Sequence, residues 1–257
     1  MVMAKKKAPP AAQKTPEVLV NVVLDRSGSM ASCADGTISG YNEYLKGLRA
    51  DPTTKYNVTL IQFDAPSVGP ELTVSYEDKP LDQCPDLTKE TYEPRGMTPL
   101  YDAIGECIRR VTANSRAVMT VIITDGMENA SHEFTQPSIK DLIKQKENEG
   151  WKFVFLGANI DSYQVGGNLG VAASNIANYT VGNEQALYAT LASATKGYSS
   201  NVMQHGLCAM SARMDTIGAD NRAAMLGHPS ATTGGRPAAP ASFRKPTAKR
   251  TQWAVRS

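Results

Sequence analysis

The sequence contains few cysteines, no long apolar run and almost no excess of charge of either sign. Because the cysteines are widely spaced and form no CxxC pair, we expect neither a zinc site nor a dense disulfide framework, and free thiols in a reducing compartment are favoured. The cysteines are Cys33, Cys84, Cys107 and Cys208. A net charge of +2 provides no general attraction to nucleic acid or to a membrane surface.

Long hydrophobic segments are also missing from the sequence. No run reaches the roughly eighteen apolar residues that a membrane span requires. The first residues, MVMAKKKAPPAAQKTPE, lack the apolar core of a signal peptide. We therefore expect a cytoplasmic protein that has no membrane partner.

Composition divides the chain of 257 residues into four parts. Residues 1–16 are rich in Lys, Pro and Ala, and residues 228–257 combine Pro, Gly, Ser and basic residues, so we expect a disordered basic arm and a disordered basic tail. Residues 17–200 carry the regular apolar patterns of one compact domain. Residues 201–227 form an appended segment whose structure the sequence does not indicate.

Apolar and β-branched runs predict the strands of this domain. The segments VLVNVVL, VMTVIIT and KFVFLGA are nearly unbroken and are typical of central strands that are covered on both faces. The segments YNVTLIQF and ELTVSY predict a hairpin-like pair with a short edge strand. The predicted strands, including a weaker last one, are residues 18–24, 56–63, 71–76, 118–124, 152–158 and 176–181.

Helical spacing of apolar residues predicts helices between these strands. We expect the second helix to begin with Thr98 as N-cap and Pro99 at its first helical position, and the third to stop at Gly150. The predicted helices are residues 37–49, the segment after Thr98, and residues 137–149, 161–169 and 183–198. This alternation predicts an α/β fold, a doubly wound and mostly parallel sheet with helices on both faces.

Oxygen-bearing side chains follow the predicted central strands at their carboxyl ends. In open sheets of this kind, ligands bind in the crevice beyond those ends. Three separate segments deliver two carboxylates and three hydroxyls there, from Asp25, Ser27, Ser29, Thr98 and Asp125. Such a set of hard oxygen ligands suits Mg²⁺, with Mn²⁺ or Ca²⁺ as alternatives, rather than zinc or copper.

The same residues carry a resemblance to a known family. The D-x-S-x-S of residues 25–29, the G-x-T-P-L-x-D-A of residues 96–103 and the I-I-T-D-G of residues 122–126 resemble the von Willebrand factor A-type (vWA) domain with an intact metal-ion-dependent adhesion site (MIDAS). The resemblance covers roughly residues 17–200 and implies a Rossmann-like fold with one antiparallel edge strand. The segments MENAS and FLGANID look more like intracellular bacterial or phage members of the family than like secreted adhesins.

The resemblance also implies a role for each site residue. Ser27 and Ser29 would bind the metal directly, and Thr98 would bind it directly or through water according to the state of the site. Asp25 and Asp125 would act mostly through bridging water or through hydrogen bonds to the ligands.

Several nearby residues have simpler interpretations. Asp102 is interpreted as a favourable charge near a helix N-terminus and is left out of the metal site. We expect Arg26 to be solvated, with steering of an acidic partner as the alternative. His132 is expected to be a polar surface residue or a cap rather than a general base. Asp161 is expected to cap the next helix, and a contact of Asn159 or Asp161 at the rim of the site remains the alternative.

Three functions remain open from the sequence. We favour a binding module without enzyme activity, whose metal captures an Asp or Glu carboxylate of a partner protein. The second is a metal-dependent phosphoesterase-type enzyme, although the sequence offers no paired acid and base near the metal apart from His132. The third is a nucleic-acid-associated protein that acts through its basic tails, since basic residues of the C-terminal tail are interleaved with aromatic ones.

Overall fold

The computed structural model describes residues 15–65, 71–111, 116–158, 160–179 and 184–205. Nearly all of the predicted basic arm, most of the appended segment and the whole basic tail lie outside these described residues. The division of the chain into four parts therefore stays a prediction.

Within the described residues, the strands form one mixed sheet in the order β3-β2-β1-β4-β5-β6. Every neighbouring pair is parallel except β2 and β3, which are antiparallel, so β3 is the antiparallel edge strand that was predicted. The strands are β1 (Glu17–Asp25), β2 (Lys55–Phe63), β3 (Leu72–Pro80), β4 (Ala117–Thr124), β5 (Lys152–Ala158) and β6 (Ile176–Tyr179). This topology confirms the predicted doubly wound, mostly parallel α/β fold.

Helices cover both faces of the sheet. One apolar cluster joins the sheet to the first and last helices, and a second joins its other face to the three helices between them. Alternate residues of β1 enter the two clusters, since Val20 belongs to the first and Leu19 to the second. The helices are α1 (Ala34–Arg49), α2 (Leu100–Arg110), α3 (Gln136–Asn148), α4 (Ser162–Asn168) and α5 (Glu184–His205).

Several predicted boundaries differ from the structure. The last helix, α5, was predicted to end at residue 198 but continues to His205, into the predicted appended segment. The edge strand is longer than expected, because β3 continues to Pro80. The first helix begins at Ala34, directly after a short 3₁₀ segment at Gly28–Cys33. The predicted start of α2 is wrong: its first helical residue is Leu100, Pro99 takes the N-cap position, and no side chain of α2's own N-terminus caps it.

The start of α2 is displaced because residues from a different loop supply its caps. The backbone N–H of Tyr101 donates to Glu128 Oε2 at 3.0 Å and to Ser131 Oγ at 3.0 Å. The backbone N–H of Asp102 also donates to Ser131 Oγ. A carboxylate at this end is favoured by the helix dipole. Tertiary contacts from Glu128 and Ser131 therefore cap α2, which was the role predicted for Thr98.

Two further sequence predictions bear on the environment of the chain. Cys84 and Cys107 are buried free thiols, as expected, and Cys33 is also buried. Cys208 lies outside the described residues. Among the helices that the structure describes, none combines the length and the apolar character that a bilayer-spanning helix needs.

Candidate metal centre

The candidate site lies at the point of the sheet where the connections after two neighbouring strands, β1 and β4, lead in opposite directions. After β1 the chain passes through α1 to β2, on one side, and after β4 it passes through α3 to β5, on the other side. Because β1 and β4 are neighbours, their carboxyl ends flank a crevice that neither crossover covers. The sequence-predicted site residues come from loops at this crevice.

Asp25, the last residue of β1, is held at both carboxylate oxygens. It is fully buried, at 0% exposure. Its Oδ1 accepts the backbone N–H of Ser27 at 2.6 Å, and its Oδ2 accepts the hydroxyl of Thr124 at the end of β4. The backbone carbonyl of Asp25 accepts the buried hydroxyl of Tyr92 at 2.7 Å. The carboxylate is therefore oriented by the strand ends and by the loop that follows β1.

The two serines connect this loop to the second acid. The hydroxyl oxygens of Ser27 and Ser29 lie 3.1 Å apart, within hydrogen-bonding distance. Ser29 Oγ donates to Asp125 Oδ1 at 2.6 Å, across 96 residues of sequence. The end of β1 and the loop after β4 are thus joined through hydroxyl and carboxylate groups.

Thr98 reaches the same place from the third segment, and Gly126 shows how closely these groups converge. A Cβ atom added to Gly126 would lie 2.9 Å from Thr98 Oγ1, 3.4 Å from Asp25 Oδ2 and 3.4 Å from Ser29 Oγ. One small space beside Gly126 therefore has three oxygen atoms around it, from the end of β1 and the loop after it and from the loop that carries Thr98. Glycine at this position keeps the space open, because any larger residue would place an atom between the oxygens.

Backbone hydrogen bonds fix the loop that carries Thr98. Gly28 N–H donates to the carbonyl of Gly96 at 3.1 Å, and Arg95 N–H donates to the carbonyl of Arg26 at 2.8 Å. Gly96 has a φ of 68°, which side-chain-bearing residues rarely adopt, so glycine permits the turn that brings Thr98 to the site. The loop after β1 and the loop that carries Thr98 therefore meet through main-chain hydrogen bonds.

Burial makes the two carboxylates unfavourable as isolated anions. It raises the pKa of Asp25 from its ordinary 3.8 to about 6, although the hydrogen bonds from Thr124 and Ser27 oppose this change. Burial also raises the pKa of Asp125, against the opposing hydrogen bond from Ser29. A bound cation would favour both ionised forms, so the electrostatics of the residues present suit a positively charged ligand.

The donor set also fits a hard divalent cation. In the part of the chain that the structure describes, no group of three or more His, Cys, Asp or Glu side chains could hold a metal. The candidate set consists instead of two carboxylates and three hydroxyls. Oxygens of Thr98, Asp25 and Ser29 border one space, and Ser27 and Asp125 are each within hydrogen-bonding distance of Ser29 Oγ. Oxygen-only ligands of this kind are typical of Mg²⁺, Mn²⁺ or Ca²⁺ sites.

Arg26 has a different environment from the one predicted. It is buried, at 8% exposure, and its guanidinium donates to Asp64 Oδ1 at 3.1 Å and to Thr73 Oγ1 at 3.2 Å. Arg95 Nε also donates to Asp64, at 2.7 Å from Oδ2. The expectation of a solvated Arg26 is wrong, because Asp64 is fully buried and its charge is compensated by the two guanidinium groups.

Asp102 holds the loop beyond the site. Its carboxylate accepts the backbone N–H groups of His132, Glu133 and Phe134, at distances from 2.7 to 3.2 Å. Asp102 was predicted to lie outside the metal site and to act only as a favourable charge near a helix N-terminus. Its three backbone partners give it a larger structural role than that prediction.

Asp161 caps α4 by accepting the backbone N–H of Gln164, as predicted, and Asn159 lies outside the described residues.

Sequence reasoning missed three residues of the MENAS segment that shape the site. Asn129 exchanges two hydrogen bonds with Thr98, since its Oδ1 accepts Thr98 N–H at 2.8 Å and its own N–H donates to the Thr98 carbonyl at 3.1 Å. Glu128 and Ser131 cap α2. No local pattern marks these residues as caps, because the helix that they cap lies earlier in the chain.

Comparisons with known proteins identify the fold. No protein-family model matches the sequence, and no curated protein matches it. Among solved structures, the vWF domain of the type V pili tip protein Mfa5 from Porphyromonas gingivalis is similar with a TM-score of 0.54 and 11% identity, over 71% of this chain and 95% of that chain. A single-site mutant of the PilB minor pilin from Streptococcus sanguinis gives a TM-score of 0.51 and 13% identity, over 76% and 64%.

A third similar structure is proximal thread matrix protein 1 from the mussel byssus, whose MIDAS motif is occupied by zinc. It gives a TM-score of 0.47 and 13% identity over 76% of this chain. The chain spans less than half of that mussel structure, at 46% of its length. At such identities the comparisons show the fold alone. The chain has the Rossmann-like vWA fold, with the antiparallel edge strand characteristic of its sheet.

Proposed function

We propose that the protein is a divalent-cation-dependent binding module with a MIDAS that captures an acidic side chain of a partner protein. The observation that carries this proposal is the convergence of Thr98 Oγ1, Asp25 Oδ2 and Ser29 Oγ around the space beside Gly126. Ser27, Ser29 and Thr98 would provide hydroxyl ligands, while Asp25 and Asp125 would orient them and balance charge. A bound Mg²⁺ would supply a coordination position for the partner's carboxylate.

The charges around the site make this function depend on the cation. Asp25 and Asp125 repel an incoming carboxylate when no cation is present. The nearby guanidinium groups of Arg26 and Arg95 are both paired with Asp64 and so are already engaged by an internal acid. Since at most two carboxylates face the cation, and the other candidate ligands are neutral hydroxyls, the loaded site keeps positive character and attracts an acidic partner.

We propose that the module acts without catalysing a reaction. Two further acids, from the loop after Asp125 and from α2, are engaged in the fold: Glu128 accepts hydrogen bonds from the backbone of Tyr101 and Ser131, and Asp102 accepts three backbone N–H groups. These contacts support structural roles for the two acids rather than roles as a general acid or base. Metal-dependent turnover of a panel of phosphoesters would contradict this part of the proposal.

A cytoplasmic location, with an intracellular bacterial or phage origin, is part of the same proposal. It is supported by the burial of Cys84 and Cys107 as free thiols, since disulfides are common in oxidising compartments and rare in the cytosol. Fractionation of the native host with an antibody to this chain tests the location. Recovery in a secreted or cell-surface fraction would contradict it.

The central proposal is tested in two steps. Calorimetric titration with MgCl₂ should show saturable uptake by the wild-type chain, and Asp25→Ala should abolish it while the circular dichroism spectrum stays unchanged. Asp141→Ala, which removes an exposed acid on α3, is the matched control and should bind as the wild type does. Affinity purification should then recover partners in magnesium only. Partner binding that survives both chelator and Asp25→Ala would overturn the proposal.

A further inference from the structure

Two exposed methionines flank the candidate metal centre. In the part of the chain that the structure describes, Met97 at 54% and Met127 at 69% are the large hydrophobic residues that are exposed. Met97 directly precedes Thr98, and Met127 is the second residue after Asp125. Exposed apolar side chains that lie together at a binding site commonly contact a partner, whereas singly scattered ones need no explanation.

The backbone around both methionines is held in place. Met97 and Ala65 exchange two backbone hydrogen bonds, at 3.0 and 3.2 Å. Asn129 is joined to Thr98 by its side chain and by its backbone, so the loops that carry Met97 and Met127 lie beside each other. The exposure of these side chains therefore belongs to ordered loops, and it leaves apolar surface at the edge of the site.

A small cavity continues this surface away from the metal centre. It has a volume of about 170 Å³, and Met127 forms part of its wall together with Tyr101 from α2 and Val165 from α4. Two residues with side-chain amides, Gln136 and Gln164, also line it. This size suits one aliphatic side chain rather than a cofactor, for which pockets of roughly 300 Å³ or more are usual. The amides offer both donors and acceptors to a peptide backbone.

We propose that this surface, from the metal centre across Met127 into the cavity, binds an extended segment of the partner that carries an aliphatic residue close in sequence to its acidic residue. The inference rests on the proposed function and specifies its partner. The acidic side chain would meet the cation, and the aliphatic side chain would enter the cavity beside Met127 and Val165. A second acidic residue at that position would be disfavoured, because Glu128 also lines the cavity.

Synthetic peptides provide the probe. One set places a single Asp or Glu among Gly and Ser residues, and a second set adds one Leu at each position near the acid in turn. Binding to the full chain is measured by fluorescence polarisation in MgCl₂ and in chelator. We expect Leu at one or two positions to raise the affinity roughly tenfold in magnesium, and a Glu placed there instead to give no such gain.

Variants of Met127 test whether the gain in affinity from Leu arises at the cavity. Met127→Gln keeps the length of the side chain but makes it polar, and should remove the preference for Leu while leaving the affinity for the plain Asp peptide unchanged. Met127→Leu keeps the apolar character and should preserve the preference. Because Met127 is 69% exposed, neither change should affect folding.

The possible outcomes separate this inference from the function on which it rests. Metal-dependent binding of the acidic peptides with no preference for Leu, or a preference that Met127→Gln retains, overturns the inference and leaves the proposed function intact. No metal-dependent binding of any acidic peptide overturns both. A dimer in magnesium that Met127→Gln dissociates would show that a second copy of the chain covers this surface, and would also overturn the inference.

Discussion

The hydroxyl of Thr124 donates a hydrogen bond to Oδ2 of Asp25, and both residues are fully buried at the ends of neighbouring parallel strands. The backbone N–H of Ser27 donates to the other carboxylate oxygen, Oδ1. Hydrogen bonds from the protein alone therefore fix the orientation of the Asp25 carboxylate. This arrangement places an acid where burial disfavours its charge. The fold therefore carries an unfavourable group at the site, and a cation would relieve it.

The first prediction concerns the pH dependence of stability in chelator. The pKa of Asp25 is about 6 in the folded chain and 3.8 ordinarily, so between these values the folded state holds a proton that the unfolded state has lost. The contribution of Asp25 to the free energy of unfolding is complete below pH 4 and is lost as the pH rises through 6. The loss amounts to about 3 kcal/mol.

Asp25→Asn isolates this effect. Asn cannot ionise, and its amide can donate to Thr124 Oγ1 while its oxygen accepts Ser27 N–H, so we expect the variant to be more stable than the wild type at pH 7 without metal. Urea denaturation at pH 4 and pH 7 measures the difference between the two proteins. A wild type that loses no more stability than Asp25→Asn over this range would contradict the prediction.

The second prediction concerns Gly126→Ala. The added Cβ would lie 2.9 Å from Thr98 Oγ1, inside the space that three oxygens surround, so magnesium affinity should fall at least roughly tenfold. Gly126 does not have a positive φ, so the change acts through space rather than through backbone strain. Gly167→Ala is the matched control, because its Cβ would meet nothing within 4 Å. Equal magnesium affinity of the two variants in calorimetry would contradict the proposal that the cation binds in the space beside Gly126.

The third prediction separates two roles for Thr98. If its hydroxyl capped α2, Thr98→Val would cost about 1 kcal/mol of unfolding free energy. The structure shows no such cap, so in chelator we expect Thr98→Val to lie within about 0.5 kcal/mol of the wild type. The same variant should bind magnesium more weakly, because it lacks the hydroxyl oxygen. Denaturation in chelator and calorimetric titration measure the two effects, and full retention of magnesium affinity would contradict the proposed ligand role.

The fourth prediction concerns Asp102→Ala. It leaves the backbone N–H groups of His132, Glu133 and Phe134 without their acceptor, and should lower the free energy of unfolding by about 2 to 4 kcal/mol. Asp141→Ala, an exposed change on the neighbouring α3, should leave stability nearly unchanged. Chemical denaturation of the two variants provides the comparison. Equal stabilities would show that water replaces the carboxylate at no cost.

Much of the fold could be predicted because its signals are local. The unbroken apolar run that ends at Asp25 identifies β1 as a central strand, and the similar run that ends at Thr124 identifies β4. Alternation of such strands with amphipathic helices requires parallel pairing and places both ends at one edge of the sheet. That geometry was enough to predict that Asp25 and Asp125 would lie near each other.

Other features could not be predicted, because each depends on residues that are far apart in the sequence. Thr98 looked like a helix cap, yet Glu128 and Ser131 provide the caps. Arg26 looked like a solvated loop residue, yet it pairs with Asp64, which is 38 residues away. Neither partner can be chosen from the sequence alone, since many acids and hydroxyls lie at comparable separations along the chain.

The sequence by itself determined the order of strands and helices along the chain, the edge of the sheet where the candidate site residues lie, and the oxygen-only donors that these residues carry. It did so because apolar periodicity and residue type act over a few residues. Only the tertiary structure decided that three oxygens surround the space beside Gly126, that Asp25 is buried enough to raise its pKa, and that Met127 borders a cavity. Those properties depend on distances and solvent exclusion between segments that meet only when the sheet is complete.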